Sequence, residues 1–268
     1  YVESSLTPVV GSAVDVEILK NLSKTDLKKI EKVHIKFDLG MSRFGFDMKD
    51  SVQVWGALKN LGLSIQGVCG HFPQSEDFAE VNGSSQDLLA DLVSCASNLG
   101  VPEDRVHAPN SEAISRGKFK VGLRPGLGLY GVSQSREAGI EGVLRLTSPL
   151  VSINSLSPGA RVSYGGTWAA KEQIRVGVLP IGYADGLRRG LSNRIKFFSR
   201  GLVYSQVGTI CMDYCMVNLG KTEDFVKGTE FVLFDETYTS LFEWAKLLGT
   251  IPYELLTGLG ERVERKAV

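Results

Sequence analysis

The sequence predicts an α/β fold, with a parallel sheet in its first half and a mostly β domain after it. Three observations carry this. Up to Val132 short β-rich runs alternate with helix-like stretches, the pattern of strand–helix units. After Val132 the texture changes to short strands separated by turn residues. Between the two lies residues 133–142, polar and glycine-containing, which reads as a linker. The domains are therefore drawn as 1–135 and 136–268.

Residues 7–10 (Thr-Pro-Val-Val) read as the first strand, and residues 14–22 carry apolar side chains at helical spacing. Residues 33–38 are a second strand and 51–61 a helix. Residues 64–71 are a third strand, and 84–99 a long helix closed by Gly100. Residues 105–109 form a fourth strand, with a short helix from Ser111, and 121–132 a fifth. Such units build a parallel sheet, either open or closed into a barrel, and five are too few for an eight-fold barrel. In the second half, strands are expected at 144–148, 175–180, 195–198, 203–207, 215–219 and 230–233. Residues 241–248 form an amphipathic helix, and 253–256 another helical turn.

Composition excludes several classes. The 268 residues hold 30 Lys+Arg against 30 Asp+Glu, so no net charge draws the chain to nucleic acid or anionic lipid. A hydrophobic fraction of 43% excludes disorder. No apolar run reaches the ~18 residues of a membrane span, and no signal-peptide pattern opens the sequence. Cys69, Cys95, Cys211 and Cys215 have neither zinc-site spacing nor the density of a disulfide framework, so a cytoplasmic setting is expected.

Four features point to chemistry. Residues 126–131 fit G-x-G-x-x-G, but no amphipathic helix follows, so the run is not a dinucleotide fingerprint. Its small residues still let backbone N–H groups approach an anion. His71 ends a predicted strand, the functional edge of parallel α/β folds, although a local hydrogen bond is the plainer reading. Arg124 lies within a strand, where an arginine is costly to bury without a partner. Lys36 and Asp38 share one face of their strand, opposite Val33, Ile35 and Phe37, and that face is either solvated or part of a site.

Together the motifs resemble one family. Residues 36–45, Lys-Phe-Asp-Leu-Gly-Met-Ser-Arg-Phe-Gly, resemble the K-x-D-x-G-M-x-R-x-G segment of alanine racemases. Arg124-Pro125-Gly126 through Tyr130-Gly131 is similar to their R-P-G-x-x-x-Y-G strand. Residues 162–165, 181–186 and 211–213 match three further signatures in the same order, so the resemblance spans nearly the whole sequence.

The resemblance implies pyridoxal phosphate (PLP) bound to a (β/α)8 barrel of the TIM type, a C-terminal β domain, and a head-to-tail homodimer with shared active sites. Here residues 1–135 are expected to form the carboxyl-terminal five strands of that barrel. The cofactor acidifies the substrate Cα–H, and a racemase needs bases on both faces of the resulting planar carbanion. Tyr164 is implied as one base, an unusual one that neighbours must activate. His71 is implied to support the cofactor ring and link Tyr164 to Arg124, which faces the pyridine nitrogen. Arg43 is implied at the substrate carboxylate, with Lys36 the candidate for carbamylation that orients it. Ser111 and the backbone at Gly126 and Leu127 are implied to hold the phosphate. Met212 offers its backbone N–H to the substrate carboxylate. Tyr183 and Arg189 line the entrance corridor, with Asp185 in support.

Departures are informative. The family's other base, also its Schiff-base lysine, follows a K-x-N-A-Y-G-H-G-like strand end that does not occur here, whereas Lys20, Lys24, Lys28 and Lys29 follow a helical surface pattern. The expectation is that these residues begin about three strand–helix units into the barrel and are inactive alone. Pro73 and Gln74 follow His71 where the family more often has small residues. Thr209 stands where many members carry a corridor arginine. Glu261, before Arg262-Val263, falls near a position often held by a phosphate-binding tyrosine, and a carboxylate would repel phosphate. The expected substrate is alanine. Serine, a broader amino-acid range, and a lysine-less PLP-binding protein stay open. No metal, nucleic-acid or membrane partner is expected.

Overall fold

A computed structural model describes residues 3–4, 6–75, 84–132, 141–235 and 240–267. The expected linker falls mostly on residues 133–140, outside that set. The described residues divide into two units, one running to Gly128 and the other starting at Leu129.

The first unit is a four-stranded parallel sheet in sequence order: β1 (Val9–Val10), β2 (Lys32–Lys36), β3 (Ser64–Cys69) and β4 (Val106–His107). Helices connect the strands: α1 (Ala13–Lys20) and α2 (Lys24–Ile30), then α3 (Ser51–Asn60), then α4 (Ser84–Asn98), with α5 (Ser111–Arg116) after β4. Short polar caps set the helix starts. Ser12 and Asp15 form a reciprocal capping box on α1, Ser23 caps α2, and Asn110 caps α5 through Ala113 N–H. Val33, Ile35 and Phe37 alternate inward along β2 and join Leu58, Val68, Leu92 and Val106 in a fully buried core. Burying Phe37 contributes about 2–3 kcal/mol by area alone.

One expectation changes here. The fifth strand, 121–132, reduces to one parallel bridge, His107 to Gly122, followed by a 3₁₀ turn at Leu127–Tyr130. Pro125 has no N–H for a ladder, and the glycines flanking it favour turning over pairing. The segment still runs beside β4, with Gly122 N–H donating to Val106 C=O and Arg124 N–H to Pro109 C=O, both at 2.7 Å. Helix α2, whose lysines follow the helical surface pattern in the sequence, forms as a separate helix because Ser23 caps it and Ile30 buries.

The second unit holds a seven-stranded sheet. Its strands are β5 (Arg145–Pro149), β6 (Ser152–Leu156), β9 (Ile174–Leu179), β10 (Lys196–Ser199), β11 (Leu202–Val207), β12 (Cys215–Gly220) and β13 (Glu230–Asp235). Their spatial order is β5-β13-β10-β11-β12-β9-β6, and every pairing is antiparallel. A separate two-stranded ribbon pairs β7 (Arg161–Val162) with β8 (Trp168–Ala169). Helices α6 (Leu241–Leu248) and α7 (Pro252–Thr257) follow. Strand β12 alternates buried and half-buried residues throughout, the pattern of a sheet with one covered face. Strands β6, β7 and β8 escaped the sequence reading because Ser152, Asn154 and Ser155 break the apolar signal and the ribbon strands are two residues long.

Candidate active site

Because the four strands are parallel and in register, their carboxyl ends align. Lys36 pairs with Cys69, and Cys69 with His107. His71 lies two residues beyond β3, and Arg124 two beyond the Gly122 bridge, so both emerge at the same end as Lys36. His71 accordingly feels Arg43, Lys36 and Arg124 electrostatically.

The segment after β2 explains the motif residue by residue. Phe46 N–H donates to Lys36 C=O and Asp38 N–H to Phe46 C=O, both at 2.9 Å, so residues 38–46 fold back onto the strand end. Asp38 Oδ1 accepts from Gly40 N–H at 3.0 Å and Met41 N–H at 2.9 Å, which fixes the turn. Gly45 has φ +142°, and a Cβ there would strike the backbone of Phe37 and Asp38. The turn brings Arg43 beside Lys36 and lays the Phe44 ring 5.1 Å from Lys36 Nζ. Burial first, then Arg43, pushes the Lys36 amine below its ordinary range.

Two residues the sequence reading passed over complete this end of the sheet. Arg124 Nη1 lies 2.8 Å from His107 Nδ1, and His107 Nε2 lies 2.7 Å from His34 Nδ1. A guanidinium only donates, so His107 Nδ1 accepts, Nε2 carries the proton, and His34 Nδ1 accepts in turn. Burial, reinforced by Arg124 and His34, lowers His107 to about 4. Burial, then Arg105 and Arg124, lowers His34 as well. His71 is lowered by burial, then by Arg43, Lys36 and Arg124. All three shifts favour the neutral imidazole. The signal for His34 was present: two residues before Lys36, it shares that strand face.

Ser111, at the start of α5, accepts at Oγ from Gly126 N–H at 2.8 Å and Gly128 N–H at 3.0 Å. Two backbone donors thus converge on one small hydroxyl beside buried Leu127. With Lys36, Arg43 and Arg124 at this sheet end and Asp38 engaged by its own turn, the first unit suits an anionic group. Among the described residues no group of three His, Cys, Asp or Glu could hold a metal. A cavity of about 450 Å³ lies beside β1 and α1, lined by Val10, Ile18, Leu19 and Ile30, and takes in none of these residues.

In the second unit Tyr164 follows the ribbon strand β7, with its side chain exposed at 72%. Ser163 before it has φ +63° and ψ −174°, a conformation that costs a non-glycine residue about 1–3 kcal/mol and needs support. Ser163 Oγ donates to Thr209 C=O at 2.6 Å and lies 3.3 Å from Cys211 Sγ. Thr209, where many family members carry an arginine, is 4% exposed. Its hydroxyl donates to Tyr164 C=O at 2.8 Å.

Residues 182–186 lie against 211–214: Tyr183 N–H donates to Cys211 C=O and Ala184 N–H to Met212 C=O, both at 3.0 Å. A side chain at Gly182 would collide with the backbone of Met212. Asp185 is buried, accepts from Gly182 N–H at 2.9 Å, and meets Arg262 at 3.0 Å. Arg262 also holds Asp213 at 2.9 Å, tying both segments to the chain end. Tyr183 and Met212 are exposed on this scaffold. Arg189 is exposed, and its carbonyl is held by Ser192, whose Oγ accepts from Ile210 N–H at 2.9 Å. Glu261 is exposed, and nothing in the structure assigns it a role.

Comparison with known proteins places both units. Residues 1–134 match the family model "Alanine racemase, N-terminal domain" and residues 143–267 the model "Alanine racemase, C-terminal domain". The alanine racemase of Cutibacterium acnes is 35% identical over 269 residues, covering 95% of this chain and 71% of that protein. That of Thermodesulfovibrio yellowstonii is 33% identical, covering 98% and 72%. Among solved structures, the alanine racemase of Bartonella henselae with covalently bound pyridoxal phosphate superposes with a TM-score of 0.83 at 26% identity, covering 100% of this chain and 74% of that one. The enzyme from D-cycloserine-producing Streptomyces lavendulae gives 0.82 at 26% identity, covering 98% and 72%. With family models over nearly every residue and both parts of the fold matched, the chain belongs to the alanine racemase family.

Proposed function

We propose that this chain serves the interconversion of L- and D-alanine with PLP as cofactor. The observation that carries the reading is the gathering of Lys36, Arg43, His71, Arg124 and Ser111 at one end of the parallel sheet, within a family member.

The residues fit the cofactor. Ser111 and the N–H groups of Gly126 and Gly128, with Leu127 between them, form a small-residue cradle of the kind that holds a phosphate. When bound, PLP supplies an electron sink that acidifies the substrate Cα–H. Arg124 would face the cofactor ring nitrogen. A guanidinium does not deprotonate in proteins, so it offers a hydrogen bond and not a proton. The chain His34–His107–Arg124 holds that guanidinium in place, and neutral His71 adds no further positive charge beside it. Arg43 would take the substrate carboxylate. The lowered Lys36 amine favours the uncharged form that carbamylation requires, which would turn a cation beside Arg43 into an anionic partner.

Tyr164 would remove and return the Cα proton on one face. Its exposure on its own unit supports a homodimer in which the phenol serves the partner's site, with Met212 crossing beside it. Tyr183 and Arg189, on the segment that Asp185 braces, would form the entrance. A cytoplasmic setting follows from the reading; among the described residues no helix is long and apolar enough to cross a membrane.

The test is racemisation of L-alanine, monitored by D-alanine formation, in the PLP-loaded racemase expressed from its natural reading frame. L-serine and larger amino acids run in parallel. Alanine turnover abolished by Tyr164→Phe supports the reading. Turnover of serine alone would reassign the substrate, and PLP binding without any racemisation would leave a cofactor-binding protein.

A further inference from the structure

Tyr164 is 72% exposed, so its neighbours in the second unit steer it through its backbone. That backbone is held by a directional chain. Asn193 Nδ2 donates to Thr167 Oγ1 at 3.0 Å, and Thr167 Oγ1 lies 3.3 Å from Thr209 Oγ1. The single hydroxyl hydrogen of Thr209 goes to Tyr164 C=O at 2.8 Å, so Thr167 must donate to Thr209. The far end is fixed too: Gly208 N–H donates to Asn193 Oδ1 and Asn193 N–H to buried Gln206 Oε1, both at 2.6 Å. Ser163 closes the clasp by donating to Thr209 C=O at 2.6 Å. Residues 163–164 and 209 thus hold each other reciprocally, each carbonyl capped by the other segment's hydroxyl. Gly208, with φ +77°, allows this approach, since a Cβ there would meet Val162 and Ser163.

We infer that Thr209 is a positioning residue for Tyr164, fixing the peptide plane from which the phenol reaches the substrate Cα. The inference rests on the reading of Tyr164 as the base. Thr209 touches no reacting atom. It acts by removing rotational freedom at the Tyr164–Gly165 peptide, where Gly165 and Gly166 both have positive φ and give no stiffness of their own.

The experiment compares Thr209→Val, which keeps the shape and removes the donor, with Thr209→Ser, which restores it. Both are made in the racemase expressed from its natural reading frame. Thr209→Val should lower kcat about 10- to 100-fold with KM nearly unchanged, as expected when a reacting group is displaced by about an ångström. The primary isotope effect with Cα-deuterated alanine should rise only in the direction in which Tyr164 removes the proton. Amide hydrogen exchange across residues 163–167 should quicken, and Thr209→Ser should reverse each change. An unaltered kcat and isotope effect in Thr209→Val, or loss of rate that Thr209→Ser does not recover, overturns the inference. If Val at 209 prevents folding, Thr167→Val breaks the chain one link out, and an unchanged kcat and exchange pattern there is equally fatal. Full activity in Tyr164→Phe would instead sink the reading of Tyr164 as base, while exchange still decides whether the clasp exists.

Discussion

Arg124 and His107 are joined by a 2.8 Å hydrogen bond in which the guanidinium donates to Nδ1, so the imidazole that orients the arginine is held neutral by its burial and, secondarily, by that arginine's charge. His107→Phe should keep the fold and release the guanidinium. Losing a hydrogen bond to a charged group is worth about 1.5–3 kcal/mol, so catalytic efficiency should fall roughly 10- to 100-fold. Steady-state kinetics of the variant check this, with PLP occupancy read from the cofactor's visible absorbance.

The same histidine makes stability depend on pH. Its native value of about 4 lies below the ordinary 6.5, so the unfolded chain binds the extra proton first. The native state keeps its full stability above about 6.5 and loses it as the pH falls toward 4. His34 and His71, shifted in the same direction, add to the slope. Since His107 is only half-buried, the effect is screened, and Tm should drop by roughly 2–6 °C. Thermal melts between pH 7 and 5 should show the decline, and His107→Gln should flatten it.

Gly45→Ala should destabilise the first unit by about 2–4 kcal/mol, combining a φ no alanine favours with a clash against the β2 backbone. Urea denaturation gives the value. A change below about 0.5 kcal/mol would mean that residues 38–46 do not fold back as described.

The proposed sharing of sites between subunits predicts complementation. Arg43→Ala and Tyr164→Phe should each be nearly inactive as homodimers, whereas mixed dimers should regain about a quarter to a half of full activity, because both lesions fall in one site. Mixed dimers that stay dead despite proven subunit exchange would place Tyr164 in its own subunit's site.

These 268 residues contain Tyr164 but no lysine in the family's strand-end motif. The isolated polypeptide, incubated with PLP and reduced with borohydride, should therefore give no turnover and no dominant adduct. Loss of such a group commonly costs several orders of magnitude. A single labelled lysine accompanied by racemisation would contradict this, and Lys36, with its lowered amine, is the residue to inspect first.

Much of the architecture was legible because it rests on periodicity. Helix α6 was placed to the residue, since Leu241, Trp244, Ala245 and Leu248 repeat at helical spacing between a serine cap and Gly249. The fifth parallel strand was overread because 121–132 is apolar, yet Pro125 and its glycines deny it a ladder. Motif residues such as Arg43 and Ser111 could be proposed from sequence. The groups that hold them could not: His107 lies 17 residues from Arg124, and Thr209 45 from Tyr164. Such pairs are made by sheet register and loop docking, which a local pattern does not encode.

The fold-back after β2 bears on how this family is found at all. Within residues 36–45, Asp38, Gly40 and Gly45 serve the turn: one caps its own backbone and the others adopt left-handed or sterically closed positions. A descendant that had lost Arg43 and every trace of racemase activity would still need those three to fold. Signature searches over this stretch therefore detect an inherited hairpin geometry before they detect a catalyst, and on the roles proposed above, separating living enzymes from retired copies requires the side chains at 36, 43 and 164.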